Sequence, residues 1–173
     1  MSRILISYFS RPGMNYVAGD ILDLPVGNTQ VAAQMLEELT GGTLFRIETV
    51  QPYPEDYHAC SRQASQELRD GVFPELRGRV AHMEDYGTVL LGYPNWCGTM
   101  PMAVWTFLKA YSFAGKTILP FCTNEGSGLG RSLADLALLC PDARVGAGLS
   151  LRGGGVAGAR PELERWLKDG GLL

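Results

Sequence analysis

Apolar residues along this chain follow two rhythms that alternate from one end to the other. Near-continuous apolar runs occupy residues 3–9, 43–48, 89–92 and 117–122, with a weaker, glycine-containing run at 143–151. Runs of this kind suit strands covered on both faces. Between them the apolar positions recur every three or four residues. Val31, Ala32, Met35, Leu36 and Leu39 mark a helix from about Thr29 to Thr40, which Gly41-Gly42 stops. A polar helix is predicted over Glu55–Arg69, behind Pro52 and Pro54 and ahead of Gly71. Further helices are predicted over Pro101–Tyr111, over Leu129–Leu139 with Leu133, Leu136 and Ala137 inward, and over Pro161–Lys168 with Leu163, Trp166 and Leu167 inward.

Strands alternating with helices imply right-handed crossovers and a parallel sheet, an α/β fold. Five strands in a chain of 173 residues suggest the order 2-1-3-4-5, with helices on both faces and the switch point between strands one and three. The length fits one domain, residues 1–173, large enough to bury a full core. No repeat or low-complexity segment is evident.

Composition narrows the function without choosing it. Hydrophobic residues make up 46% and charged residues 19%, ordinary for a globular protein. The net charge of −3, with no basic run, argues against nucleic acid and anionic membrane surfaces as main partners. No segment approaches a membrane span, and the opening apolar run, closed by Arg11 and Pro12, is too short for a leader. Cys60, Cys97, Cys122 and Cys140 are scattered and form no C-x-x-C pair, which reads as reduced thiols in a cytoplasmic protein. His58 and His82 stand alone, so no metal site is expected.

The chemistry-bearing residues fall in three loops at the carboxyl ends of predicted strands, where open α/β sheets bind ligands. The first runs from Ser10 to Asn28, too long for an ordinary strand–helix connection, and ends in Gly27-Asn28-Thr29. Gly27 permits a tight approach, Asn28 is a suitable N-cap, and the free N–H groups of a helix start bind anions such as phosphate. Ser10 and Thr29 add hydroxyls and Arg11 adds charge. The second loop, Tyr93-Pro94-Asn95-Trp96-Cys97-Gly98-Thr99-Met100-Pro101, leaves a large aromatic at the sheet edge. The third, Thr123-Asn124-Glu125-Gly126-Ser127-Gly128, offers backbone amides to a flat heterocycle. Taken singly, each also fits ordinary capping or packing. Together, a phosphate cradle, an aromatic platform and a hydrogen-bonding loop fit a phosphorylated flat ring, and FMN is the natural candidate.

Other phosphate devices are excluded. No Lys follows the glycines, so there is no Walker A loop, and no G-x-G-x-x-G follows strand one. A phosphoryl-accepting receiver domain needs acidic residues at the end of strand one, where Ser7-Tyr8-Phe9-Ser10 provides none. A cofactor-free interaction module remains only if all three loops are plain caps.

Over almost its whole length the sequence resembles the flavodoxin-like family. Tyr93-Pro94-Asn95-Trp96-Cys97-Gly98-Thr99-Met100-Pro101 is similar to that family's flavin-ring loop, and Thr123 to Gly128 to its second ring loop. The family's phosphate loop reads S-R-T-G-N-T; here it is split into Ser10-Arg11 and Gly27-Asn28-Thr29 by the insert Pro12 to Val26. Ser10-Arg11-Pro12-Gly13 is the alternative reading of that loop, but only Gly27-Asn28-Thr29 directly precedes a good helix. The insert, with Gly19 at its middle, is read as a small hairpin near the cofactor.

The resemblance implies a three-layer sandwich and FMN bound through Ser10, Arg11, Asn28 and Thr29 at its phosphate. It further implies Trp96 packed on the isoalloxazine, Pro94, Asn95, Cys97 and Gly98 around it, and Thr123, Asn124, Gly126, Ser127 and Gly128 on the ring's other side. The implied role is electron transfer to a redox partner protein or a small-molecule acceptor. The alternative is an NAD(P)H-dependent reductase of quinones or similar acceptors. The excess of acidic over basic residues, 18 to 15, is small for a carrier that steers basic partners. No residue stands out as a proton donor, Tyr93 and Glu125 being the nearest to the expected ring. Cys97, read as lying near a helix start, is expected either to have a lowered thiol pKa or to be a small packing residue.

Overall fold

The computed structural model describes residues 2–173. Strand β1 (Arg3–Tyr8) is central, paired in parallel with β4 (Thr43–Arg46) on one side and β7 (Tyr86–Pro94) on the other. Strand β8 (Thr117–Asn124) extends the sheet beyond β7, and β10 (Leu149–Arg152) closes it. The spatial order β10-β8-β7-β1-β4 is the expected 2-1-3-4-5.

The side-chain alternation of these strands builds two cores. Leu5, Val89, Leu91, Ile118 and Cys122 face the layer of α3 (Met102–Ala110) and α4 (Ser132–Leu139). Ile6, Leu90, Leu119 and Phe121 face the layer of α1 (Asn28–Thr40) and α5 (Arg160–Asp169). Helix α2 (Tyr57–Asp70) is more polar and is capped by Asp56, whose carboxylate accepts the Ala59 amide at 2.7 Å.

Three departures from the sequence reading have physical causes. The last predicted strand is two pieces, β9 (Arg144–Val145) and β10, both paired with β8. The break lies opposite Leu119-Pro120, and proline has no N–H for a ladder. The third predicted strand is longer at both ends, because Tyr86 and Thr88 pair with Arg3 and Ile4, and Tyr93 and Pro94 with Cys122 and Thr123, beyond the apolar run. Finally, the short ribbon of β5 (Glu48–Thr49) and β6 (Leu76–Arg77) carries no sequence signal at all.

The insert forms a hairpin, β2 (Gly13–Val17) paired antiparallel with β3 (Asp20–Leu24). Its two-residue turn, Ala18-Gly19, has φ of 50° and 95°, the positive pair that a tight hairpin requires. No helix among the described residues is long and apolar enough to cross a membrane.

Candidate functional site

The carboxyl ends of β1, β7, β8 and β10 surround a cavity of about 310 Å³, walled on its open side by the hairpin. Its floor is the start of α1. The helix is capped by Gly27, not by Asn28, which is already helical. Gly27 makes no side-chain cap; the cap comes from Ser10, whose Oγ accepts the Gln30 amide at 3.1 Å across the whole insert. The approach is close: a Cβ at Gly27 would meet Ser10 Oγ at 2.2 Å and the Arg11 carbonyl oxygen at 2.8 Å. Val31 gives its N–H to the Gly27 carbonyl, so the amides of Asn28 and Thr29 head the helix without intrahelical acceptors. Thr29 is buried and its hydroxyl meets that of Thr123 at 2.8 Å, joining the first and third loops.

Arg11 lines the cavity, but its guanidinium is committed elsewhere. It donates to the carbonyls of Met14, Pro54 (2.7 Å) and Glu55 (2.6 Å), clamping the hairpin to the segment before α2. The anion cradle is therefore made of neutral donors.

The second loop turns back on itself. Trp96 and Thr99 exchange backbone hydrogen bonds of 3.0 and 3.2 Å around Cys97 and Gly98, whose φ values are 55° and 81°. Trp96 borders the cavity and is held edge-on by Phe9 (centroids 5.1 Å) and Tyr53 (5.0 Å). Asn95 is a brace: its Oδ1 accepts the Gly98 amide and its Nδ2 donates to the Gly128 carbonyl.

In the third loop Asn124 plays the same part. Its Oδ1 accepts the amides of Gly126 and Gly128 at 2.9 and 3.0 Å, so those two N–H groups are not free for a ligand. Glu125 accepts from the Gly154 amide (2.9 Å) and the Ala18 amide (3.3 Å), tying the hairpin turn to the segment after β10.

Of the residues expected from sequence, Ser10, Arg11, Asn28 and Thr29 meet Pro94, Asn95, Trp96, Thr123, Asn124 and Ser127 around one cavity. Gly98, Gly126 and Gly128 shape the loops without lining it. Cys97 lines an adjoining small cavity of about 100 Å³ with Cys60 and Ser61, which shares Arg11, Asn15, Tyr57, Asn95 and Trp96 with the main one. It sits in a turn rather than at a helix start, and burial pushes its thiol pKa up rather than down. Tyr93 is fully buried, donates to Ser132 Oγ at 2.9 Å, and has its pKa pushed up by burial.

Sequence reasoning missed Asn15, Tyr16, Tyr57 and Gly153, which also line the cavity. The Tyr16 and Tyr57 rings lie 6.4 Å apart at 34°, brought together by the hairpin, and no local pattern announces them. Gly153 opens the triplet Gly153-Gly154-Gly155, which was the available signal. A Cβ there would come within 2.4 Å of Asn28 Nδ2 and 2.7 Å of Glu125 Oε1.

The sequence model of a family described as flavodoxin matches residues 3–169. Among solved structures, the chain is similar to a protein provisionally assigned as a flavoprotein from Bacteroides eggerthii, at 29% identity over 98% of each chain with a TM-score of 0.79. A second, from Bacteroides uniformis, shares 26% identity over 96% of this chain and 98% of its own, with a TM-score of 0.76. A flavoprotein from Lactobacillus acidophilus, solved in complex with FMN, has the same fold at 18% identity, covering 96% of this chain and 99% of its own with a TM-score of 0.64. None of the curated proteins matches the chain.

Proposed function

The chain belongs to the flavodoxin family, and from that premise we propose that it binds FMN at the carboxyl edge of its sheet and serves in electron transfer. The observation that carries this reading is the reunion of Ser10 with Asn28 and Thr29 across the insert, in one cavity with Trp96. The residues fit the group. The unshared amides of Asn28 and Thr29, with the Ser10 O–H that its bond from Gln30 leaves available, suit a phosphate held by neutral donors at a helix start. Trp96, backed by Phe9 and Tyr53, suits a flat ring. FMN supplies the redox chemistry; the protein binds, orients and shields it.

The chain's own part is positional. Asn95 and Asn124 fix the two ring loops against each other, and Glu125 holds the hairpin turn where Tyr16 and Tyr57 narrow the cavity. Tyr93 is not a proton donor to a ligand, since its hydroxyl is buried and donated to Ser132. This favours a carrier whose partner is a redox protein or a small acceptor. The second reading is an NAD(P)H-dependent reductase of a small acceptor. It is favoured by a second cavity that shares Ser10 and Arg11 with the first.

An anaerobic titration of the FMN-loaded protein with NADH and NADPH decides between them. Bleaching of the flavin bands by either nucleotide identifies a reductase. FMN binding without bleaching identifies a carrier fed by a separate enzyme. Failure of FMN to bind at micromolar concentration would overturn the cofactor reading.

A further inference from the structure

The second cavity, about 540 Å³, is larger than the first and falls in the range of small-molecule sites. The hairpin stands between the two. It gives Asn15 and Tyr16 to the first cavity, and the facing pair Met14 and Asp23 to the second. Phe9 and Tyr53 line the second cavity, edge-on to each other at 5.9 Å, and both also touch Trp96 of the first. One aromatic cluster thus forms the partition.

The far end of this cavity is cationic. Arg46, the last residue of β4, has a buried Nε with no hydrogen-bond partner among the described residues. Glu48 lies 3.4 Å from that nitrogen, near enough to attract it but not placed to accept its hydrogen. Arg77 faces Glu48 across the β5–β6 ribbon and makes only a 3.5 Å contact to the Val50 carbonyl. Arg11, the third cation, is already committed to carbonyls. The acidic groups Asp23 and Glu55 belong to the hairpin side. That Arg46 Nε–H is closed off from the cavity; what an anion can reach are the terminal guanidinium nitrogens of Arg46, whose side chain is about one-third exposed, and of Arg77.

We propose that this cavity binds a planar aromatic carboxylate, its carboxylate on Arg46 and Arg77 and its ring against Tyr53 and Met14. The lining as a whole balances three arginines against Asp23, Glu48 and Glu55, so the positive character is local to Arg46 and Arg77 and suits a carboxylate monoanion better than a phosphate dianion. The guanidinium fork accepts a planar carboxylate through two parallel hydrogen bonds. The flat, apolar side of the cavity, with Tyr53 between Pro52 and Pro54, suits a ring. The proposal stands whether or not the first cavity takes FMN.

Benzoate is the probe, followed by amide chemical-shift titration of the protein without and with FMN. Saturable binding in both forms is expected, with shifts at β4 and the β5–β6 ribbon. The neutral isostere benzamide and inorganic phosphate should each bind at least tenfold more weakly. Arg46→Leu should weaken benzoate at least tenfold and leave FMN affinity unchanged. Arg77→Leu, on the exposed ribbon, should weaken it several-fold, and Glu48→Gln should tighten it. The proposal is overturned if benzoate does not saturate, if benzamide or phosphate equals it, or if both arginine variants bind it as the parent does. Competition between benzoate and FMN would place benzoate in the first cavity and overturn it equally. Benzoate binding to a protein that rejects FMN would sink the flavin reading alone.

Discussion

Asn95 and Gly128 join the two loops that border the cavity: the Asn95 Nδ2 donates to the Gly128 carbonyl at 2.8 Å while its Oδ1 accepts the Gly98 amide at 3.0 Å. A residue that sequence placed against the ligand is thus the brace between its two walls. Asn95→Asp keeps the acceptor, loses the donor and sets a carboxylate against a carbonyl. We expect it to cost about 1–3 kcal/mol of stability and to weaken FMN binding. Urea unfolding checks the first point and flavin fluorescence the second; a variant with parental stability would show that the brace contributes nothing.

Gly153 is required by close approach. Its substitution by alanine drives a methyl group against Asn28 and Glu125, both of which line the cavity. Both contacts are side-chain ends, so Gly153→Ala should leave the fold intact and displace groups at the site. The expected result is a modestly lowered thermal midpoint, because the Glu125 hydrogen bonds to Gly154 and Ala18 are strained, with FMN affinity reduced at least tenfold, read by flavin fluorescence quenching. Parental affinity would place the cofactor away from this corner.

Trp96 has its edges on Phe9 and Tyr53 and borders the cavity. Trp96→Ala should weaken FMN about 2- to 12-fold beyond the loss of buried area. Trp96→Phe should recover most of that. Equal affinity for all three proteins in a fluorescence titration would remove Trp96 from the ring site.

The thiols make stability fall in alkali. Burial pushes the Cys122 pKa up to about 12 and that of Cys140 up to about 11, from 9.0. Above pH 9 these thiols ionise in the unfolded chain while the folded chain keeps them protonated, so rising pH favours unfolding. The loss should begin near pH 9 and continue until the folded thiols ionise as well, with Tyr53 and Tyr93 adding to it above pH 10. Chemical denaturation at pH 8, 9 and 10 checks this, and Cys122→Ala with Cys140→Ala should flatten the first step.

Ser7 is fully buried in β1 and its hydroxyl has no partner among the described residues. An unmade buried hydrogen bond costs about 1–3 kcal/mol. Ser7→Ala should therefore leave stability unchanged or raise it by about 1 kcal/mol, measured by thermal unfolding. A fall in the midpoint would mean that the hydroxyl is bonded in solution.

The sequence by itself determined the alternation of strands and helices, the two-sided burial of the sheet and the edge at which the loops gather. Those features follow from periodicity and from turn residues, which act on their near neighbours. It also determined the family, through the loop from Tyr93 to Pro101. Only the tertiary structure decided which polar groups are free. Thr29 meets Thr123 and Ser10 caps the helix at Gln30, pairings that crossovers and the insert bring together from distant positions. Asn95, Asn124 and Arg11 look like ligand groups until the loops close, because their chemistry suits a backbone partner as well as a cofactor. The approach of Arg77 to Glu48, beside Arg46, is legible only once β5 and β6 have paired, since nothing local to residue 46 brings residue 77 to it.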